Sequence, residues 1–275
     1  MPARIAALLA AATLAACSSP AEVAEKTGVE PTASASASAD GAEATRNAAA
    51  FAYAKNLSEA GGGTMDFAYA WPKQVAAEPE LAALFKMQLD KDLEDTRRGW
   101  EESYADCPAD AVSCRNYSLD SKYEVVADLP RFLSLSNETS VYTGGAHGSY
   151  GVEAIVWDRE AKTAMSGAGM FRSPAALGAA LGKTLCDALN KERVKKGMEP
   201  IEGEGDVFDA CPPLDDASVL VGSSNRKAFD RITVYYGPYV AGSYAEGAYE
   251  LDFPMTAAMI EAVKPAYRGA FSAGK

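Results

Sequence analysis

The segment that most constrains the fold is a glycine-rich heptapeptide, Tyr142–Gly148, which lies between two strand-like runs. These runs are Arg131–Tyr142 and Val152–Asp158, and both have the apolar and β-branched character of strands. Three glycines surround His147, the only histidine of the chain. Glycine adopts backbone conformations that other residues avoid, so we expect a sharp turn here. The turn is either a structural hinge or a recognition surface.

The other predicted elements occur in blocks rather than in strict β–α–β alternation. Strands are predicted at Met65–Trp71, Tyr117–Ala127, Ala161–Met165, Val219–Val221, Phe229–Tyr236 and Tyr249–Phe253. Helices are predicted at Phe51–Glu59, at Glu78–Tyr104, from Ser173 to near Gly197, and at Ala257–Val263. This order predicts an α+β fold in which antiparallel sheets pack against two main helices. We expect two abutting subdomains, 51–150 and 151–275.

The N-terminus predicts export and lipidation. Ile5–Ala16 is an apolar run that is too short to span a bilayer but has the length of a signal-peptide core. It ends in Leu14-Ala15-Ala16-Cys17, which has the pattern of a bacterial lipobox. We expect a signal peptide at 1–16 and a lipid anchor on Cys17; the alternative is an ordinary signal peptide with an incidental cysteine. Ser18 favours the outer membrane, facing the periplasm, in a Gram-negative host.

The composition of residues 17–50 predicts a disordered tether between the membrane and the folded body. They are rich in Ala, Ser, Glu, Thr and Pro, and they contain almost no large apolar residue. Such a segment cannot bury enough apolar surface to offset the conformational entropy that ordering costs.

The cysteine count agrees with an oxidising compartment. Once Cys17 carries the lipid, four of the five cysteines remain: Cys107, Cys114, Cys186 and Cys211. An even set in an exported chain indicates disulfides, and four cysteines allow three pairings. Proximity favours Cys107 with Cys114 and Cys186 with Cys211. A four-thiolate zinc site is the alternative, but none of the spacings is typical of one.

The charge of the chain excludes some partners. The formal net charge of −12 argues against nucleic acid, which requires a positive surface, and against electrostatic attachment to anionic lipid. It favours cationic partners through long-range attraction, although an acidic surface also serves solubility alone.

Two motifs carry a family resemblance. The first is Phe132–Ser136 followed by Tyr142–Gly148, and the second is Ile232–Gly247 followed by Tyr249–Pro254. Together they resemble the signature of the PdaC/RsiV-like extracytoplasmic domains, over roughly residues 64–263. The chain departs from the family pattern at Ala241–Ser243, where members often have a proline before the tyrosine.

The resemblance implies an α+β body outside the cytoplasmic membrane. One member of the family is an anti-sigma factor that binds lysozyme, and another carries the domain beside a peptidoglycan deacetylase. We recognise neither a sigma-binding segment nor a deacetylase metal motif in this chain, so we expect neither activity. The expected partner is a lysozyme-like protein or a peptidoglycan fragment.

Catalysis is not predicted for any particular residue. A Ser-His-Asp or Cys-His site would need His147, yet the sequence has no G-x-S-x-G motif and the cysteines are assigned to disulfides. A turn histidine that hydrogen-bonds the backbone is the favoured interpretation. An enzyme that acts on cell-wall glycan through a carboxylate pair is one alternative, and a structural envelope lipoprotein is another. We expect no cofactor and no metal, since the acidic residues at 206, 209, 215 and 216 lack the EF-hand order.

The candidate binding residues come from the two motifs. They are Tyr142, Gly144, Gly145, His147, Gly148, Tyr239 and Tyr244. Tyrosine joins a flat apolar ring to a polar hydroxyl, which suits both protein interfaces and sugars. We expect Tyr235 and Tyr249 to pack in the core, and Tyr239 and Tyr244 to contact a partner.

Overall fold

The computed structural model describes residues 49–108, 110–201 and 210–275. The predicted signal peptide, the lipidation site Cys17 and nearly all of the predicted tether lie outside these ranges. Within the described ranges, no helix combines the length and the apolar character needed to cross a membrane.

The first sheet has six strands in chain order. They are β1 (Phe51–Ser58), β2 (Thr64–Trp71), β3 (Asn116–Asp128), β4 (Phe132–Tyr142), β5 (Ser149–Asp158) and β6 (Thr163–Ser166). All neighbouring strands are antiparallel except β2 and β3, which are parallel. Parallel neighbours need a crossover connection, and helices α1 (Lys73–Ala76) and α2 (Pro79–Ala105) supply it. The predicted α+β class is confirmed, with one sheet mixed rather than wholly antiparallel.

The predicted helix at Phe51–Glu59 is wrong, because this segment forms strand β1 along the edge of the first sheet. Its aromatic side chains contact β2, which explains the difference. The ring of Phe51 stacks on Trp71 with centroids 3.8 Å apart, and the ring of Tyr53 meets Phe67 edge-on at 6.2 Å. Such cross-strand aromatic pairs stabilise a strand that local propensity alone does not specify.

Helix α2 covers the first sheet. Leu81, Phe85 and Leu89 recur at four-residue spacing and are buried against the sheet. They meet the alternating buried residues of β2, which include Phe67 and Tyr69. The opposite face of α2 is charged, with pairs such as Lys91–Asp95 at 2.6 Å, so the helix is amphipathic as predicted.

The second sheet has three antiparallel strands, β7 (Ser218–Gly222), β8 (Arg231–Tyr236) and β9 (Tyr249–Pro254). Helices α3 (Pro174–Leu181), α4 (Lys183–Lys195) and α5 (Ala257–Ala262) form a core with it. The expected cap is present, since the Ser173 hydroxyl accepts a hydrogen bond from the Ala176 amide at 3.0 Å. The predicted single helix is wrong: Gly182 adopts φ +54° and divides it into α3 and α4.

Strand β7 contacts β3, β4 and β5, so the two sheets meet. The expected division into 51–150 and 151–275 stays a prediction, and its boundary falls within β5.

Disulfides join Cys107 to Cys114 and Cys186 to Cys211, which is the pairing that proximity favoured. Disulfides persist in oxidising compartments, so the two disulfides indicate an extracytoplasmic location for this domain.

Candidate functional site

Two turns that are far apart in the sequence meet at one surface. The turn between β4 and β5 carries His147, and the connection between β8 and β9 carries Tyr239 and Tyr244. The ring of Tyr244 stacks on the imidazole with centroids 3.9 Å apart and planes 20° apart. The Tyr239 hydroxyl lies 3.3 Å from Nε2 of His147, across 92 positions of sequence. The structure thus brings together residues from both sequence motifs.

The shape of the first turn depends on its glycines. Gly144 and Gly145 both adopt φ +91°, a conformation that strongly favours glycine. The Tyr142 hydroxyl closes the turn by donating a hydrogen bond to the carbonyl of Gly145 at 2.9 Å. The candidates Tyr142, Gly144 and Gly145 therefore shape the turn, which presents the exposed imidazole of His147.

The hydrogen bonds of His147 define its tautomer. Nδ1 lies 2.8 Å from the carbonyl oxygen of Gly148, and a carbonyl only accepts, so Nδ1 carries the proton. In the neutral ring Nε2 is then the acceptor, and the Tyr239 hydroxyl donates to it. This is the backbone-bonded turn histidine that the sequence favoured, with an added contact to a tyrosine.

Tyr239 has an unusual backbone for its residue type. It adopts φ +68° in the turn that the Val240 amide closes onto the carbonyl of Gly237 at 3.2 Å. A bulky side chain in this left-handed region costs on the order of 1–2 kcal/mol. The side chain is nevertheless 56% exposed, so burial of its ring does not offset that cost.

A fourth aromatic residue completes the surface. Tyr150, at the start of β5, meets the ring of Tyr244 edge-on at 6.2 Å and is 37% exposed. We refer to His147, Tyr150, Tyr239 and Tyr244 as the aromatic surface. Tyr235 and Tyr249 do not belong to it, since both are buried as expected.

A buried ion pair holds the connection that carries the two tyrosines. Nη1 of Arg193, on α4, donates to Oε2 of Glu246 at 3.0 Å and to the carbonyl of Ala241 at 2.6 Å. Glu246 also accepts hydrogen bonds from the Tyr249 hydroxyl at 2.7 Å and from the Ser243 amide at 2.9 Å. The side chains of Arg193 and Glu246 are only 9% and 8% exposed, so these contacts replace solvent.

The charge state of Glu246 follows from these contacts. Burial by itself raises the pKa of a carboxyl, but the hydrogen bonds from Tyr249 and Ser243 and the charge of Arg193 outweigh it. The net result is that the pKa of Glu246 lies below its usual value of 4.5. In turn, burial and the bond to Glu246 raise the pKa of Tyr249 to about 12. The carboxylate is therefore ionised, and the phenol neutral, at neutral pH.

Other buried carboxylates have structural partners. Asp158 is bound by Arg131 at 2.6 Å, and this hydrogen bond is the main reason that the pKa of Asp158 is lowered. Asp230 accepts from the Ser224 amide and hydroxyl at 2.7 and 2.6 Å. Among the described residues, no group of three or more His, Cys, Asp and Glu side chains is placed to hold a metal ion. Of the acidic residues considered for calcium, 206 and 209 lie outside the described ranges.

Four residues of this site were not among the candidates from the sequence: Tyr150, Arg193, Ser243 and Glu246. Tyr150 lies only two positions beyond Gly148, yet no motif marks it. The Arg193–Glu246 pair joins a helix to a loop, and no sequence spacing connects them. Ser243 and Glu246 do carry a signal, because Ser-x-x-Glu is the pattern of a capping box, and the structure forms one.

The first motif lies within a known family. Residues 61–150 match the family model described as Deacetylase PdaC. This segment is a PdaC-family domain. It contains β2–β4 and the turn that presents His147, whereas Tyr239 and Tyr244 lie beyond the matched residues.

Two solved structures are similar to this chain in fold. A member of the DUF3298 family from Bacteroides fragilis is 18% identical with a TM-score of 0.51, covering 80% of this chain and 95% of its own. A DUF3298 family protein from Pseudomonas aeruginosa is also 18% identical with a TM-score of 0.51, covering 82% of this chain and 97% of its own. At 18% identity, this similarity shows a shared fold and nothing more. No curated protein matches the sequence.

Replacing Glu246 with glutamine tests the anchoring role of the ion pair. We expect the free energy of unfolding at neutral pH to fall by on the order of 3 kcal/mol, because Arg193 stays buried without its counter-ion. The folded-state pKa of Glu246 is lowered, so its contribution is present above the usual value of 4.5 and is lost as the pH falls. The variant should therefore lose less stability than the wild type between neutral pH and about pH 3.

Urea denaturation over this pH range measures both effects. Glu250→Gln, on an exposed residue of β9, is the control and should change stability by less than about 0.5 kcal/mol. Equal effects of the two substitutions at neutral pH would contradict the anchoring role.

Proposed function

We propose that this protein is a cell-envelope binding protein that docks a protein partner through the aromatic surface. The observation that carries the proposal is the convergence of the two motifs, with Tyr244 stacked on His147 and Tyr239 within reach of its Nε2. His147, Tyr150 and Tyr239 are exposed at this surface, and Tyr244 is half-buried between them.

The chemistry of the surface suits a protein interface. Tyrosine is enriched among residues that dominate binding energy, because it offers a large ring and a hydroxyl with few rotatable bonds. The glycine turn and the Arg193–Glu246 pair fix the two backbones that carry the rings. A surface that is already ordered loses less entropy on binding.

The backbone of Tyr239 supports the same proposal. Glycine at this position would relieve the left-handed conformation, yet the chain carries an exposed tyrosine there. Local strain at an exposed ring is typical of positions kept for recognition rather than for stability.

The proposed partner is a basic, lysozyme-like protein. The net charge of −12 attracts a cationic protein at long range and speeds association. The family resemblance points to the same class of partner. A peptidoglycan fragment is the competing ligand, and the binding experiment below separates the two.

The proposed location is the outer membrane, with the body facing the periplasm and held by a lipid on Cys17. The lipobox at residues 14–17 supports the anchor, and the two disulfides agree with an oxidising compartment. The tether of residues 17–50 would let the body reach partners a few nanometres from the bilayer.

Replacing Cys17 with serine tests the anchor. In a bacterial host, the full chain should incorporate radiolabelled palmitate and sediment with membranes, because acyl chains provide its attachment. The Cys17→Ser variant should lose the label and enter the soluble fraction, whereas Ser18→Ala should keep the label. Label on the Cys17→Ser variant would contradict the proposal.

Titration calorimetry of the full chain with a c-type lysozyme tests the docking surface. We expect a micromolar or tighter Kd at low and at moderate salt. Tyr239→Ala and Tyr244→Ala should each raise the Kd at least about tenfold, which corresponds to about 1.4 kcal/mol. Tyr53→Ala, on the distant strand β1, is the control and should leave the Kd unchanged.

A further variant separates binding from folding. Tyr239→Gly relieves the backbone conformation, so it should bind weakly without a loss of stability. Heat that vanishes at moderate salt would mean charge attraction alone, and no binding at either salt would exclude lysozyme. Binding of muropeptides in its place, lost in the tyrosine variants, would assign the surface to glycan.

A further inference from the structure

A groove of about 950 Å³ lies beside helix α2, on the face of the first sheet that this helix partly covers. Gln88 and Asp92 of α2 line one side of the groove, and side chains of β3, β4 and β5 form its floor. A volume of this size is typical of sites that bind small molecules. No residue of the aromatic surface lines the groove, so the proposed docking does not account for it.

The strand register builds the floor from neighbouring polar side chains. Ser121 on β3 lies opposite Thr139 on β4, and Thr139 lies opposite Gly151 on β5. Two positions along β4, Asn137 lies opposite Glu153. Residues directly opposite in antiparallel strands share a face of the sheet, with Cβ atoms about 5 Å apart. These five residues therefore form one patch, and all of them line the groove.

Asn137 has an unused hydrogen-bond donor at this floor. Its side chain is only 6% exposed, and Oδ1 accepts a hydrogen bond from the Ser121 hydroxyl at 2.8 Å. Nδ2 has no hydrogen-bond partner among the described residues, and it stays in contact with solvent at the groove. An amide nitrogen in so buried a side chain is poorly solvated, so a ligand atom that accepts from it is favoured.

Hydrogen-bond acceptors surround this donor. The carboxylate of Glu153 forms no ion pair with a described residue, and the Thr139 hydroxyl has no hydrogen-bond partner among them. Burial raises the pKa of Tyr123, a buried residue of the same floor, and the charges of Glu153 and Asp92 raise it further. Both carboxylates therefore lie near one hydroxyl of the floor, and the groove presents a single free amide among several acceptors.

This arrangement selects the chemistry of the occupant. An ammonium or guanidinium group only donates hydrogen bonds, so it would leave Nδ2 of Asn137 without a partner. An anion would accept from Nδ2, but Glu153 and Asp92 would repel it. An uncharged group with several hydroxyls suits the groove, because each hydroxyl both donates and accepts.

The groove also offers apolar contact and space. Leu84 and Met87 of α2 line it and are 40% and 62% exposed, although both are large hydrophobic residues. Gly151 leaves the floor open, since no atom lies within 4 Å of the place that a Cβ would occupy. The C–H face of a sugar ring can cover the first two residues while its hydroxyls reach the floor beside Gly151.

We propose that this groove binds a saccharide. An oxygen of the sugar accepts a hydrogen bond from Nδ2 of Asn137, and its hydroxyls donate to Glu153, Asp92 and Thr139. The apolar face of the ring lies against Leu84. The site is separate from the aromatic surface, so the inference does not rest on the proposed docking.

Saturation-transfer NMR of the full chain tests the groove with two neutral disaccharides, N,N′-diacetylchitobiose and maltose. Only the first carries acetamido groups, so the pair distinguishes an N-acetylated glycan from a simple sugar. We expect millimolar binding of at least one of them. N-acetyl-L-arginine amide should bind at least about tenfold more weakly than the tighter sugar, because it offers Nδ2 of Asn137 no hydroxyl and leaves the floor unfilled.

Variants locate the bound sugar. Gly151→Leu fills the open space and should raise the Kd at least about tenfold, whereas Asn137→Asp keeps the shape but removes the donor and should raise it about fivefold. Glu153→Gln should raise the Kd about threefold. Gly269→Leu is the matched control, because Gly269 also has open space around it but lies outside the groove. Thermal melts show whether each variant is folded.

The absence of saturation transfer from both sugars would overturn the inference. So would sugar binding that Gly151→Leu leaves unchanged in a folded variant. Tighter binding of the arginine amide than of either sugar would assign the groove to a cation instead. Sugar binding that Tyr239→Ala abolishes and Gly151→Leu preserves would place the sugar on the aromatic surface and contradict the groove.

Discussion

The buried ion pair between Arg193 and Glu246 is the contact on which the candidate site depends. It joins helix α4 to the connection between β8 and β9, and the guanidinium also binds the Ala241 carbonyl within that connection. Lys196 follows the last residue of α4 and holds the same connection. Its Nζ donates hydrogen bonds to the carbonyls of Glu246 and Ala248, at 2.8 and 2.6 Å. The connection therefore has a fixed backbone although Tyr239 is exposed and Tyr244 is only half-buried.

This anchoring explains how two distant motifs form one surface. The β4–β5 hairpin fixes the turn that carries His147, and α4 fixes the connection that carries Tyr239 and Tyr244. Stacking of Tyr244 on the imidazole then needs no further ordering of either segment.

The sequence predicted those helices and strands that depend mainly on the spacing of apolar residues within one segment. Helix α2 was predictable because Leu81, Phe85 and Leu89 repeat at helical spacing over a long segment. Strand β1 was not, because it depends on pairing with β2 and on the stacking of Phe51 on Trp71. The break at Gly182 was also missed, since an isolated glycine within a helical pattern does not always end the helix.

The candidate site was predictable only in part. The sequence singled out His147, Tyr239 and Tyr244 through their motifs, but it could not place them within contact distance. It gave no sign of Tyr150 or of the Arg193 side chain, because their roles arise from packing between elements that are far apart in the chain.

A double-mutant cycle between His147 and Tyr244 tests most directly whether the two motifs act as one binding surface. Calorimetry with the c-type lysozyme would compare the wild type, His147→Ala, Tyr244→Ala and the double variant. We expect non-additive losses with a coupling energy of about 1 kcal/mol, because removing either ring already disrupts the stack. Additive losses, or binding that neither substitution weakens, would contradict it.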